Sequence, residues 1–314
     1  MADRDLADRG IDVDRAVSDA LSEHRPVVAL ESTIFSQLGL PPPANAAALG
    51  RCKAAIESSG AMPAVTAIVD GRARVGLDPE GEQRLLAGVR KVAERDVAVA
   101  IAQSWGVGVT TVSASVALAH AAGIEVFATG GIGGVHRGAE LTGDVSADLD
   151  ALANHPVVTV CAGAKAFLDL GRTLEYLETS GVPVLGWRHD WFPAFYSRSS
   201  GLAVPHRVDD AAMVADVLRH RTRERTGVLL AVPVPETDEI AATEVETALE
   251  GALAAADAAG VSGSAVTPYV LARIEEQTGG RSIPANLALA EKNAAVAAEV
   301  ASALSARSTR SRPR

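Results

Sequence analysis

The chain has 314 residues, a net charge of −10 at pH 7, 48% hydrophobic residues, 28 glycines and only 4% aromatics. That is enough apolar material for one large α/β core. It holds too few Lys and Arg for nonspecific nucleic-acid binding, which draws its affinity from phosphate contacts. The N-terminal residues Met1–Ala20 are charged and carry no apolar segment of the signal-peptide kind. No uninterrupted apolar run reaches bilayer length, so no membrane span is expected either. Cys52 and Cys161 are too few for a disulfide framework or a zinc site. They read as buried thiols in a reducing, cytoplasmic compartment.

Residues 1–20 form a polar helical lead-in by pattern. Apolar runs of strand length follow at Val27–Leu30, Ala64–Val69, Val97–Ala102, Ile124–Ala128, Val157–Val160, Val182–Leu185 and Val228–Val234. Between them lie helical stretches rich in Ala, Leu and charge: Ala44–Ser59, Pro79–Arg95, Val112–Ala122, Phe167–Ser180, Asp209–Arg221 and Asp238–Ala259. This alternation predicts an α/β fold, a three-layer α/β/α sandwich around a mixed, partly parallel central sheet. Asp70-Gly71-Arg72 between two apolar runs predicts one antiparallel hairpin. Nothing reads as a linker or repeat, so a single domain is expected over 21–304, closed by a helix from Ala285 to about Leu304. Residues 305–314, with four arginines and a proline, read as a disordered basic tail.

Lys165 is the most informative single residue. It stands alone in Val157-Val158-Thr159-Val160-Cys161-Ala162-Gly163-Ala164-Lys165-Ala166-Phe167, where an apolar run passes through small residues towards a helix. Strong desolvation lowers a lysine's pKa, and a neutral amine condenses with carbonyls. The alternative is a lysine whose stem packs while its ammonium reaches water. Upstream, Thr129-Gly130-Gly131-Ile132-Gly133-Gly134-Val135-His136-Arg137-Gly138 follows a strand. Its glycines allow backbone N–H groups to approach an anion, with His136 and Arg137 adding charge, or else supply a tight turn. Gly143-Asp144-Val145-Ser146-Ala147-Asp148-Leu149 offers two carboxylates and a hydroxyl suited to Mg²⁺ or Mn²⁺, with water or substrate completing the shell. Its alternative is an N-cap by Ser146 or Asp148. Glu31 ends the first core run, where α/β sheets meet their ligands, or caps Ser32 and Thr33. Lys91 reads as a solvated helix residue able to neutralise a phosphate. Asn286 sits at the start of the last helix and could cap it. The seven histidines show no paired metal spacing, and Trp105, Trp187 and Trp191 form no stacking stripe.

Together these segments resemble the pseudouridine-5′-phosphate glycosidase family, which also includes the indigoidine synthase A-like proteins. The matching stretches are Glu31-Ser32-Thr33-Ile34, Gly108–Val112, Ala128–Gly138, Asp144–Asp148, Cys161–Lys165, Asp169–Thr179 and Ala285–Leu289. They run in family order from about residue 20 to 302. The resemblance implies reversible cleavage of the C–C glycosidic bond of pseudouridine 5′-phosphate to uracil and ribose 5-phosphate, a lyase step of nucleotide catabolism. It further implies that Lys165 holds C1′ of the ring-opened sugar as an imine (a Schiff base), that Glu31 donates protons and that Asp144 ligates Mn²⁺, with Mg²⁺ or another divalent cation as substitutes. Ser146, Ala147 and Asp148 would line the substrate, with Lys91 and Val112 beside it and His136 and Asn286 as further contacts. The assembly implied is a homotrimer. The chemistry is coherent, because a C–C glycoside has no heteroatom leaving group for two carboxylates to protonate, whereas an imine at C1′ supplies an electron sink.

The chain departs from the family pattern at Phe35–Pro43, where a histidine-glycine step and an aromatic between prolines are usual. It departs again at Gly263–Tyr269, where a lysine and a glutamate usually precede Val-Thr-Pro. Both departures bear on affinity and specificity and remove no catalytic group. Two other functions fit the residues less fully. One is a different Schiff-base lyase or glycosidase acting on a related phosphosugar. The other is a noncatalytic phosphate or nucleotide sensor built on the glycine loop, which would have no need of both Lys165 and Glu31.

Overall fold

The computed structural model describes residues 2–261 and 266–310. Of the residues just named, Gly263, Ser264 and Ala265 lie outside them, as do residues 311–314 of the basic tail. The strands in chain order are Ile11–Val13 (β1), Val27–Leu30 (β2), Met62–Val69 (β3), Arg72–Val75 (β4), Lys91–Val92 (β5), Val107–Thr110 (β6) and Val126–Ala128 (β7). Then come Val135–His136 (β8), Val158–Cys161 (β9), Leu168–Asp169 (β10), Val184–Trp187 (β11), His206–Val208 (β12) and Val228–Ala231 (β13). Eleven of them make one sheet in the order β1-β4-β3-β2-β7-β9-β13-β11-β12, with β6 pairing with β3 and β5 with β6. Every pairing in it is parallel except β3 with β4 and β3 with β6. The sheet is therefore mixed and mostly parallel, as the alternation of runs predicts.

In β2, β9, β11 and β13 every residue is buried, which explains why these strands read as unbroken apolar runs. A parallel strand covered on both faces has no solvent side to make polar. One cover is the long helix Ser282–Arg310 lying over β2, β7 and β9, flanked by helices Ala44–Ser58 and Ala211–His220. Helix Val112–Ala121 also packs on β2, β3 and β7, beside helices Glu94–Ala102 and Ala147–Asn154. The expected hairpin is present: Asp70 and Gly71 have φ of 51° and 71°, the pair of positive angles that a two-residue turn between twisted strands requires.

Strand β3 decides where a site can form. Its first half, Met62–Val65, pairs in parallel with β2, and its second half, Ala67–Val69, pairs antiparallel with β6. The carboxyl ends of β2 and β6 therefore run into each other, and the Ser32 and Thr33 N–H groups reach Thr110 O at 3.4 and 3.1 Å. A buried hydroxyl cluster locks the junction. Thr110 Oγ1 lies 3.0 Å from Ser32 Oγ and 2.9 Å from Thr66 Oγ1, and Thr66 Oγ1 donates to Ser115 Oγ at 2.9 Å. This seam leaves Glu31 and Thr111 side by side.

Several boundaries differ from the sequence reading. The run Val97–Ala102 is part of helix Glu94–Ala102, not a strand. Its alternation is incidental, because Val99 is exposed while Val97, Ala100 and Ile101 share one inward face at helical spacing. The expected helix Pro79–Arg95 stops at Leu86. A Cβ on Gly88 would lie 2.5 Å from Val109, and such close packing turns the chain into strand β5, so Lys91 is a strand residue. The lead-in is not wholly helical, since β1 pairs with β4 at the sheet's edge. Helix Phe167–Ser180 begins only at Leu170, after β10 pairs with β8. The last helix runs to Arg310 rather than ending near Leu304, and Arg307 forms an ion pair with Asp216. Pro284 stands in its first turn, where a missing N–H is tolerated, and the next proline in the sequence is Pro313.

Candidate active site

The carboxyl ends of β2, β5, β6, β7 and β9 converge on two adjoining cavities. One has a volume of about 350 Å³ and is walled by Ile34, Leu38, Val89, Phe195, Leu271 and Asn286. The other, of about 480 Å³, is walled by charged and hydroxyl groups, among them Arg95, Thr111, Ser113, Asp144, Ser146 and Asp148. Glu31, Thr33, Lys91 and Lys165 line both, so they stand at the seam between the lobes.

Glu31 is only 6% exposed, and its Oε1 accepts a short hydrogen bond from the Thr129 hydroxyl. Thr129 is itself fixed, because its N–H donates to Val160 O at 3.0 Å and its carbonyl accepts from Asn293 Nδ2 at 2.8 Å. Burial raises the Glu31 pKa above the usual carboxylate range; the Lys165 charge, the Thr129 hydrogen bond and Lys91 oppose the rise without cancelling it. Lys91 is solvent-accessible through the cavity, yet enough protein surrounds its ammonium to lower its pKa, with the Lys165 charge adding to the effect. Two lysines and one buried carboxyl thus share the seam.

Lys165 owes its position to the segment after β9. Its N–H donates to Ile132 O at 3.0 Å, and Ile132 N–H donates back to Gly163 O at 3.1 Å. Gly163 has φ of 80°, and a Cβ there would meet Pro193 O at 2.3 Å, so only glycine permits the bend that aims Lys165 at the seam. Cys161 and Cys52 are buried, and burial pushes each thiol up to about 12, which excludes them as nucleophiles at neutral pH.

The glycine loop does a different job from the one its composition suggests. Of the glycines between Thr129 and Gly138 only Gly138 has positive φ, at 80°, so the turn reading holds at the loop's end and not over Gly130–Gly134. The Gly133 N–H donates to Asp148 Oδ2 at 2.8 Å, and Ser113 N–H, at the start of helix Val112–Ala121, donates to Asp148 Oδ1 at 3.0 Å. The anion that Gly133 cradles is the protein's own Asp148. A Cβ on Gly133 would sit 2.2 Å from Ser146 Oγ, so the missing side chain allows this approach. Ser146 caps helix Ala147–Asn154 by accepting from Asp148 N–H at 3.2 Å, as its alternative reading expected.

A family model described as indigoidine synthase A like protein matches residues 16–303. The chain belongs to that family. A pseudouridine-5′-phosphate glycosidase of Methylobacterium nodulans is 52% identical over 294 residues, covering 92% of this chain and 86% of its own. The Chloroflexus aurantiacus protein of the same name is 51% identical, with 91% and 95% covered. Among solved structures, the prealnumycin C-glycosynthase AlnA in complex with ribulose 5-phosphate aligns with a TM-score of 0.88 and 37% identity over 96% of this chain and 98% of that one. An indigoidine synthase A-like protein from Thermotoga maritima aligns at 0.84 with 34% identity, over 94% and 96%.

All ten residues that the sequence singles out for the site line one lobe or the other. Asn286 belongs to the apolar lobe; Val112, His136, Asp144, Ser146, Ala147 and Asp148 belong to the polar one; Glu31, Lys91 and Lys165 belong to both. Asn286 is not a cap, since it lies inside the helix that begins at Ser282, and its buried Oδ1 has no hydrogen-bond partner. Among the described residues no three His, Cys, Asp or Glu side chains gather as a metal cage. The Asp148 oxygens already serve two backbone N–H groups. Asp144, about half exposed with His136 Nδ1 at 3.7 Å, remains as a single hard-oxygen donor open to the cavity. The sequence reading missed Thr129, Ser113, Arg95 and Phe195. The first two act through contacts 98 and 35 residues apart in the chain, which no local pattern encodes.

Proposed function

We propose that this protein is a pseudouridine-5′-phosphate glycosidase, cleaving the C–C bond between uracil and the ribose phosphate and, in reverse, forming it. The observation that carries the proposal is the seam itself, where two lysines and one buried carboxyl of raised pKa stand between an apolar and a polar lobe. The names of the relatives at about half identity and the phosphosugar bound by a structural relative support the same reading.

In this proposal Lys165 Nζ bonds to C1′ as the C1′–O4′ bond breaks; Glu31 gives O4′ its proton and takes one back from the new ammonium, leaving a ring-opened secondary amine. The C1′–uracil bond then breaks, its electron pair staying on the uracil carbon, which takes a proton, while C1′ becomes the protonated imine. Glu31, whose pKa burial raises, supplies that proton too and then helps water hydrolyse the imine to ribose 5-phosphate and free Lys165. The polar lobe takes the sugar phosphate. Lys91 and Arg95 supply positive charge there, and helices Val112–Ala121 and Ala147–Asn154 both begin at its wall, where the positive ends of their dipoles favour an anion even though Asp148 takes the Ser113 N–H and Ser146 the Asp148 N–H. Binding energy from this remote group can then be used to distort the reacting centre. Asp144 is proposed as the protein's ligand to a Mn²⁺ or Mg²⁺ completed by water and substrate oxygens, which would offset the phosphate charge. A cytoplasmic location is proposed from the two thiols, and a trimeric assembly from the family resemblance alone.

The direct test is to incubate the purified protein with pseudouridine 5′-phosphate and Mn²⁺ and to follow uracil by chromatography. Stoichiometric release of uracil and ribose 5-phosphate is expected. Absence of release, with tight binding of the nucleotide, would instead support a sensor.

A further inference from the structure

Asn293 is fully buried on the inward face of the long helix Ser282–Arg310, one turn from the buried Ala290 and Ala297. A polar side chain in such a place is costly unless its groups are paired. This one is paired on one side only. Its Nδ2 donates to Thr129 O at 2.8 Å and to Gly130 O at 3.2 Å, while its buried Oδ1 has no partner in the protein. The two carbonyls fix which way the amide points, since only its NH2 can serve them. An orphaned buried oxygen calls for a cause other than packing.

The cause lies in the sheet. Strands β7 and β9 pair in parallel with Ala128 opposite Val160, and Thr129 N–H continues the ladder to Val160 O at 3.0 Å. In an evenly spaced parallel ladder the next bond would run from Ala162 N–H to Thr129 O. Here the Ala162 N–H donates to Gly130 O at 2.9 Å instead. The ladder slips by one residue and frees Thr129 O, and Asn293 takes it. On the other side of β7, Leu30 pairs with Ala128, so Glu31 and Thr129 stand one step beyond that pair, where the Thr129 hydroxyl donates to Glu31 Oε1. The residue at which the ladder slips is therefore the one that holds the buried carboxyl.

We propose that Asn293 is a positioning residue: by taking the carbonyl that the slip frees, it sets the Thr129 hydroxyl against the Glu31 carboxyl and so governs proton transfer by a group it never touches. This deepens the glycosidase reading and rests on it for the use made of the proton. Without Asn293 a buried carbonyl would lack a donor, a costly state, and the N–H that a regular ladder offers it is that of Ala162. Taking that N–H back would straighten the ladder and turn Thr129 away from Glu31.

The test combines turnover with a direct titration of Glu31, its carboxyl band in the infrared being identified by its loss in Glu31→Gln. The Thr129 bond favours the ionised carboxylate, so in Asn293→Ala Glu31 should hold its proton to higher pH than in the wild type. The kcat for uracil release should fall by up to about tenfold, the scale of one hydrogen bond, with KM within about twofold. Asn293→Ser should behave alike, because its hydroxyl is too short to reach the loop and can bond the helix carbonyl four residues back. It keeps the proposal testable should Asn293→Ala fold poorly. Added to Thr129→Val, either change should cost less than about a further twofold, since the hydroxyl that Asn293 places is already gone. An unmoved Glu31 titration in both variants, or full additivity with Thr129→Val, would overturn the assignment. Failure of the wild-type protein to release uracil would sink the glycosidase reading instead, and the Glu31 titration alone would then decide the role of Asn293.

Discussion

The two lobes of the cavity share Glu31, Thr33, Lys91 and Lys165 and agree in almost nothing else. One is walled by Ile34, Leu38, Val89, Phe195 and Leu271, with the Asn286 amide and Arg90. The other holds Arg95, Asp96, His136, Asp144 and Asp148 and two helix starts. The proposed substrate, a flat pyrimidine joined by one bond to a sugar phosphate, would lie across this division. In the proposed reaction the bond to be broken would fall at the seam, beside Lys165 and the buried Glu31, whose pKa burial raises. Lys91 and Lys165 stand at the seam, Arg90 borders the apolar lobe and Arg95 the polar one, so an acidic protein still gathers four cations around one cavity.

If the seam is where chemistry occurs, its residues should affect turnover far more than either lobe does. The largest effect is expected at Lys165. Lys165→Ala should abolish turnover and the borohydride-reducible adduct with ribose 5-phosphate, with little change in melting temperature. Mass spectrometry of the reduced wild-type protein should place the sugar phosphate on the Lys165 peptide. A fully active enzyme with unmodified Lys165 would refute the imine. Next comes Glu31→Gln, which nearly preserves shape but cannot pass a proton. A loss of about 10²–10⁴ in kcat is expected, whereas loss of a mere cap would cost about 1 kcal/mol of stability and leave turnover intact. Near-normal turnover in Glu31→Gln would return Glu31 to a structural role.

The same contrast marks what the sequence reveals. Runs such as Val27–Leu30 and Val228–Ala231 are legible because strands buried on both faces must be apolar throughout. Glu31 and Lys165 are legible because charge at the end of such a run is costly unless used. The seam between β2 and β6 is not legible. It depends on β3 changing partners at its midpoint, a tertiary event with no local signature. The glycine loop shows the limit most clearly. Its composition suggests a cradle for a ligand, yet its Gly133 N–H is taken by Asp148, fifteen residues on. Val97–Ala102 misleads for a related reason, since alternating Val and Ala satisfies a strand pattern and a helix face alike.

The polar lobe can be weakened on its own. Asp144→Ala should cost on the order of 10–100-fold in Mn²⁺ affinity, at least the scale seen for loss of an outer-shell partner, and isothermal titration with the metal alone would measure it. The melting temperature should hold, because Asp144 is about half exposed. EDTA should lower the wild-type rate and Mn²⁺ restore it. Full activity in a chelated sample would remove the metal from the proposal and leave Lys91 and the helix starts to hold the phosphate.

The smallest effect, and the finest test of the seam, is expected at Thr129. Its hydroxyl donates to the Glu31 carboxylate, which favours the ionised form, while burial favours the protonated form and prevails. Thr129→Val removes the donor with almost no change in volume, so Glu31 should hold its proton to higher pH than in the wild type. In a profile of kcat against pH, the limb that reports loss of this proton should move upwards. The maximal rate should change by about tenfold or less, the scale of a single hydrogen bond worth ~1 kcal/mol. Thr129→Ser keeps the hydroxyl and should leave the limb in place. The carbonyl of Thr129 would still be held by Asn293, so a general loosening of the loop is not expected to mimic the shift. A limb that stays put in Thr129→Val, or one that moves in Thr129→Ser as far as in Thr129→Val, would mean that Glu31 is not the group that titrates.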